Sequence, residues 1–452
     1  MGERTFDVVV IGAGAPGEVI AGRLGEAGVR VAIVEERLVG GECSFFACMP
    51  SKALLRPGEL AAEAARVPGV ATGPLDAAAV LARRDEVVHD LDDSTQIPWL
   101  EERGVTLVRG HGRLAGERRV RVGDDVLVAQ RAVVVATGSS ATIPPVAGLT
   151  DARPWTNIEA TTAKHVPGRL FVLGGGVVGV EMAQAWSTLG SRVTLVHRGD
   201  RLIEREEPFA SEQVETALRA AGVDVRLEAS VASVSRNGTV RAEIEGGGVV
   251  EADEILVSIG RTPRTADIGL ETVGLEPGKH VGVDESLRVP GHEGWLYAVG
   301  DVNGRALLTH MGKYQARLAA DAILGKEVRI RSDGGASPRV IFTDPQVGAV
   351  GLTLAAAEEA GLTVRAVDVE TSGNAGGSFV GRGAPGTARI VVDEEKGVLA
   401  GATITGAEVA EALHAATIAV VGKVPLEDLW HAVPSFPTRS ELWLRLLEAY
   451  GL

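Results

Sequence analysis

An α/β fold is predicted, with two strand–turn–helix units of parallel-sheet type and a separate α/β domain after them, on three observations. A glycine-rich unit occurs twice, at residues 7–17 and 170–179. Apolar strands ending in glycine turns recur at 131–139 and 254–263. Residues 339–452 carry their own alternation of strands and helices. In the first unit residues 8–11 are a continuous apolar run, as a strand covered on both faces requires, and Gly12, Gly14 and Gly17 follow at G-x-G-x-x-G spacing. A helix is expected over 18–28 and a second strand over 29–34. That strand ends on Glu35, where a carboxylate can accept hydrogen bonds from a ribose diol. In the second unit Gly174, Gly176 and Gly179 take the same places, the next strand covers 192–196, and His197 and Arg198 stand at its end. One such pattern is weak evidence, because glycine turns that bind nothing are common. Strand, spacing, helix and second strand together, twice, point to two Rossmann-like dinucleotide-binding domains, and two dinucleotides in one chain suggest electron transfer between them.

The remaining elements complete this plan. The strands at 131–139 and 254–263 close the two nucleotide domains, and a short strand at 295–300 delivers Asp301 to a turn before a helix at 311–324. Residues 331–338 read as a linker. Strands at 339–343, 388–393 and 399–405 and helices from 407 and 439 follow. The expected domains are 1–150, 151–264, a return segment of the first domain at 265–337, and 338–452.

The chain has 452 residues, with 45 Lys and Arg against 60 Asp and Glu, a net charge of −15. That balance argues against nucleic acid or an anionic membrane surface as a partner, since both need clustered cations. No apolar run reaches the roughly 18 residues of a membrane helix, and the N-terminus enters a strand without a signal-peptide pattern, so a cytoplasmic protein is expected. Cys43 and Cys48 are the two cysteines. They exclude a disulfide scaffold and a four-cysteine metal site, and no metal is expected. They lie in Gly-Gly-Glu-Cys-Ser-Phe-Phe-Ala-Cys-Met-Pro-Ser-Lys at 40–52, soon after Glu35. One helical turn would put both sulfurs on one face, near enough for a disulfide, and a helix N-terminus lowers a thiol pKa; two small buried apolar side chains is the other reading.

With these residues assembled, the chain resembles, from end to end, the pyridine nucleotide-disulfide oxidoreductases of the dihydrolipoamide dehydrogenase, glutathione reductase and mercuric reductase group. The resemblance is carried by Gly12 to Gly17 with Glu35, the segment from Gly40 and Gly41 to Lys52, Ala-Thr137-Gly138, Gly174 to Gly179 with Glu181, Gly260-Arg261-Thr-Pro, Gly-Asp301, Phe-Thr-Asp-Pro at 342–345 and Pro-Thr-Arg-Ser-Glu at 437–441. It implies FAD on the first glycine unit, NADH or NADPH on the second, and a homodimer held by the C-terminal α/β domain. It further implies that electrons run from the nicotinamide through the flavin to a Cys43–Cys48 disulfide, with Cys48 facing the flavin and Cys43 exchanging with substrate. Lys52 would sit by the flavin paired with Glu181. Asp301 would hold the ribitol, Thr137, Gly138 and Arg261 would line the cleft, and Leu308, Thr309 and His310 would meet the ring edge.

Three departures from the family pattern bear on function. Dithiol-using relatives carry a general-base His before the Pro-Thr-x-Ser-Glu segment, oriented by the Glu; here Phe436 stands in its place, with Glu441 kept and His431 five residues earlier. Glu441 is therefore a candidate base itself. Glu42 replaces the usual Thr, and Phe45 and Phe46 lie between the cysteines. NADH-preferring relatives end the second-unit strand on Glu; His197, with Arg198 and Arg201 near, tilts the expectation to NADPH, while Glu204 keeps NADH open. No further cysteine pair or redox tail of the mercuric or large thioredoxin reductase kind is present. The expected activity is reduction of a small disulfide or oxidation of a dithiol. Reduction of a quinone, and a nucleotide-responsive flavoprotein of low turnover, are the alternatives.

Overall fold

The computed structural model describes residues 2–452. The chain divides into two compact units. One contains the residues up to Pro50, Asp85–Thr142 and Arg261–Gly334; the other contains Ser51–Arg84, Ile143–Gly260 and Gly335–Leu452.

The first unit is built on β1 (Glu3–Ile11), α1 (Ala15–Glu26) and β2 (Val31–Glu35). β1 and β2 pair in parallel, with Val8 opposite Val31 and Ile11 opposite Val34. Strand Thr106–Arg109 lies outside β2, and Asp125–Val135 lies parallel to β1 on the other side, followed by Leu296–Ala298. Val8, Val9 and Val10 are wholly buried, because helices or strands cover both faces of the sheet; this is why their sequence shows no alternation. Helix Thr309–Ile323 packs against α1 so closely that a Cβ at Gly312 would lie 2.6 Å from the Pro16 ring. After β2 come α2 (Gly41–Phe45) and α3 (Cys48–Arg66), of which only the first turn, up to Pro50, belongs to this unit.

The second unit repeats the pattern. Its parallel sheet runs Asp224–Arg226, Arg192–Val196, Arg169–Leu173, Glu254–Val257, with helix Val177–Thr188 following the second glycine turn. Ser51–Arg84, which the sequence places with the first domain, belongs here because Leu54, Leu55, Val80 and Leu81 share a core with Trp155 and Trp186. The C-terminal part is a five-stranded antiparallel sheet in the order Arg339–Ile341, Gln346–Gly351, Val398–Gly406, Thr387–Asp393, Val364–Glu370. Helices Val409–Gly422 and Glu441–Tyr450 bury Leu413, Ala416, Leu442 and Leu446 in its core. Two of these strands, Gln346–Gly351 and Val364–Glu370, were not among those expected from the sequence.

Candidate active site

The two glycine turns are built alike. A Cβ on Gly17 would lie 2.0 Å from the Gly12 carbonyl oxygen, and one on Gly179 would lie 1.9 Å from that of Gly174. Only hydrogen at these positions lets each helix start against its strand. Glu35 accepts a hydrogen bond from the Ala13 amide at 2.8 Å through Oε2, and from the Arg37 amide at 2.7 Å through Oε1. Twenty-two residues separate that first donor and acceptor, and the same separation recurs where the Gly175 amide donates to His197 Nδ1 at 3.2 Å. The histidine thus holds the second turn as the carboxylate holds the first.

Cys43 lies in α2 and Cys48 starts α3, so the pair is not carried on one continuous helix. The break falls at Phe46 and Ala47, where the backbone leaves helical geometry; Phe45 and Phe46 are buried with ring centroids 6.3 Å apart. These rings pack the redox segment from within, and Arg37 stacks its guanidinium 4.9 Å from the Phe46 ring. The cysteines are in the dithiol form. Cys43 is hydrogen-bonded to Cys48, and the Thr309 hydroxyl is within hydrogen-bond reach of both thiols, at 3.4 Å from Cys48 Sγ. The bond to Cys48, then burial, hold the Cys43 thiol far above its ordinary pKa, with Thr309 and Lys313 opposing. When the pair loses one proton, the charge therefore settles on Cys48 and Cys43 donates to it.

A polar cluster adjoins the redox segment. Glu42 takes Arg261 Nη2 on one oxygen and Arg264 Nη2 on the other, each at 2.5 Å. Arg261 Nε donates to Ser139 Oγ at 2.6 Å, and Ser139 donates to Asp301 at 2.5 Å. Thr137 Oγ1 donates to the Arg264 carbonyl at 2.8 Å, so Thr137, Asp301 and Arg261 are tied into one network. Gly41 packs its Cα against Gly14, where a Cβ would come within 2.7 Å. Together these close approaches and the strand-end carboxylate form a cradle suited to a dinucleotide such as FAD. Sequence reasoning missed the Glu42–Arg264 pair and Ser139, which share no spacing that would mark them.

In the second unit Lys52 Nζ lies 2.7 Å from Glu181 Oε2 and 4.6 Å from the centre of the Phe342 ring. The other Glu181 oxygen accepts from the Phe342 amide at 2.9 Å, so the buried carboxylate is satisfied on both sides. Lys52 is one turn after Cys48 along α3. Glu441 is buried and accepts from the Gly376 amide at 3.3 Å, whereas Phe436 is 76% exposed and His431 is exposed at the end of helix Leu426–His431. The Glu441 carboxylate is thus held inside the fold, while Phe436 presents its phenyl ring to solvent. Among the described residues no cluster of three or more metal-binding side chains occurs, and no helix is long and apolar enough to cross a membrane.

Glu18, in the first turn of α1, was not anticipated. Burial pushes its carboxyl from 4.5 up to about 7; Lys313 opposes the shift and Glu35 adds to it. The native state then binds a proton that the unfolded chain has lost between these values, so stability falls as pH rises from 4.5 to about 7. Glu18→Gln is expected to raise stability at pH 8 by up to about 3 kcal/mol and to leave it unchanged at pH 4, measured by urea unfolding of the flavoprotein.

A dithiol in reach of one hydroxyl, beside a dinucleotide cradle and in a chain with a second such turn, defines a nucleotide-dependent dithiol oxidoreductase. Residues 6–321 match the pyridine nucleotide-disulphide oxidoreductase family and residues 337–446 its dimerisation domain. The chain is 30% identical over 446 residues to mercuric reductase of Staphylococcus aureus, covering 96% of this chain and 81% of that protein. It is 32% identical over 462 residues to dihydrolipoyl dehydrogenase of Haloferax volcanii, covering 98% and 95%. Among solved structures it is similar to the HOCl-induced flavoprotein disulfide reductase RclA from Escherichia coli, with a TM-score of 0.87, 25% identity, and 98% and 99% coverage. The chain belongs to the pyridine nucleotide-disulphide oxidoreductase family. It is an FAD-dependent oxidoreductase that works with NAD(P)H and carries a dimerisation domain.

Proposed function

We propose that the chain reduces a small disulfide with electrons from NAD(P)H, through a Cys43–Cys48 redox pair. The observation that carries this reading is the pair itself, two hydrogen-bonded thiols sharing Thr309 at the start of α3. Bound FAD supplies the two-electron link between nicotinamide and dithiol. Gly12, Gly14, Gly17, Glu35, Gly41, Thr137, Gly138, Asp301 and the 308–310 segment would hold it. Lys52, charge-balanced by Glu181, is the cation assigned to it. Gly174, Gly176, Gly179 and the His197 end of the second sheet would hold the nicotinamide nucleotide, and the dimerisation domain would pair two subunits.

In the reductive direction, once Cys48 has lost its proton to water, Cys43 passes its own proton to the Cys48 thiolate along their hydrogen bond, and the Cys43 thiolate attacks one sulfur of the substrate disulfide. The other sulfur leaves as a thiolate and takes a proton from water. Cys48 then loses its proton to water and attacks Cys43, releasing the second thiol of the substrate and closing the Cys43–Cys48 disulfide. No histidine is needed for the first step, which suits a chain with Phe436 at that place. Phe436 also supports a second reading, transfer of electrons to a quinone or similar acceptor, because such transfer requires no thiol base.

The assignment of Cys48 to the flavin side is tested by anaerobic titration with NADPH or NADH. Wild type is expected to develop a long-wavelength thiolate-to-flavin charge-transfer absorbance, and Cys48→Ser to lose it. An unchanged band in Cys48→Ser would overturn the assignment.

A further inference from the structure

The loop after strand Arg192–Val196 brings the Glu204 carboxylate back to the strand-end histidine. His197 Nδ1 accepts from the Gly175 amide, so the ring proton resides on Nε2. That Nε2 lies 3.1 Å from Glu204 Oε1. Glu204 reaches it through a notch made by Gly199, where a Cβ would be 1.6 Å from the same oxygen. Its backbone is fixed. Arg201 donates to the Glu204 carbonyl at 2.5 Å and to the Glu206 carbonyl at 2.8 Å, and the Ile203 amide donates to Gly175 O at 2.9 Å. Two and three residues further on, buried carboxylates anchor the chain by ion pairs, Glu206 to Arg339 at 2.7 Å and Glu207 to Arg389 at 2.8 Å. The guanidinium of Arg201 is thereby committed to its own loop.

We propose that Glu204 is the residue that selects the nicotinamide nucleotide, accepting the adenosine ribose diol and excluding a 2′-phosphate, so that the chain prefers NADH. The inference rests on the second glycine turn being the NAD(P)H site. Its physical basis is position and sign. In the first unit the strand-end carboxylate of Glu35 lies 22 residues beyond the turn amide; in the second, the ring at the same offset carries a carboxylate on its outer nitrogen. The Glu204 side chain is half exposed, so a ligand can reach it, and a diol can donate to it. A phosphate has only acceptors to offer at neutral pH and would meet the carboxylate head-on. Arg198 is exposed on the same loop and attracts either nucleotide through its diphosphate as well as a 2′-phosphate. This reverses the preference drawn from the strand-end residues alone.

Calorimetric titration of the flavin-loaded protein with NAD+ and with NADP+ tests the inference without turnover. Wild type is expected to bind NAD+ at least about tenfold more tightly. Glu204→Gln should tighten NADP+ by about tenfold while leaving NAD+ within about threefold, and Glu204→Lys should invert the order. Tighter binding of NADP+ by wild type, or a ratio that neither variant changes, would overturn the role of Glu204 while leaving the nucleotide site intact. Binding of neither nucleotide to any of the three proteins would instead overturn the reading of the second turn, and this inference with it.

Discussion

Cys43→Ser loses disulfide reduction by about a thousandfold or more while its flavin is still reduced by the nicotinamide nucleotide; this is the largest effect expected of a single substitution here. A serine hydroxyl in place of Cys43 can still donate to Cys48, so the local hydrogen bonding survives and the redox segment keeps its fold. It cannot form the mixed disulfide. Buried Phe45 and Phe46 anchor α2 independently of the sulfur, so flavin content checks that the fold is kept. Steady-state assays with a small aromatic disulfide and with a quinone separate the two proposed activities. Quinone reduction retained within about twofold, with disulfide reduction lost, places disulfide chemistry on the dithiol and quinone chemistry on the flavin. Disulfide reduction that survives in Cys43→Ser would remove the dithiol from the mechanism.

Phe436→His is the second large effect, and a gain. A positioned general base contributes about a hundredfold or more, so oxidation of dihydrolipoamide by NAD+ is expected to rise on that order, measured as initial rate against pH. The substitution costs little packing because the ring is exposed. The segment around it is held from inside by Glu441 on the Gly376 amide, by the close contact of Gly376 with Thr438, and by the Thr438 hydroxyl on the Ser435 carbonyl at 2.6 Å. A new rate limb with a histidine-like pKa would show that the ring accepts the substrate proton. No gain in a folded, flavin-loaded variant would show that position 436 does not serve the dithiol.

The parts of this protein that were legible in its sequence are those where backbone geometry restricts residue choice. Gly12, Gly17, Gly174 and Gly179 are required because a Cβ at each would come within 1.9 to 2.6 Å of a backbone oxygen, so the two turns stand out from the sequence at fixed spacing. Buried parallel strands such as β1 were visible as apolar runs for the same kind of reason. Strand Gln346–Gly351 was missed because its six residues include two glycines and a glutamine, and its burial comes from neighbours far along the chain. The single-helix picture of the cysteine pair failed at Phe46 and Ala47, where burial of two rings outweighs helical continuity. Side-chain partnerships across long separations, such as Glu42 with Arg264 and Cys48 with Thr309, leave no periodic trace, and only folding brings them together.

The hydrogen bonds at the two turns divide labour differently. In the first unit one side chain, Glu35, both braces the turn through the Ala13 amide and stands where a sugar would be read. In the second, the brace is the His197 ring and the outward carboxylate belongs to Glu204, seven residues on. A change at Glu35 would therefore remove the brace of the turn and its outward carboxylate at once, whereas a change at Glu204 leaves the turn standing. The second unit is therefore the more evolvable one: its outward carboxylate can be exchanged by a single substitution on a braced loop, while in the first unit the outward carboxylate and the brace are the same atoms.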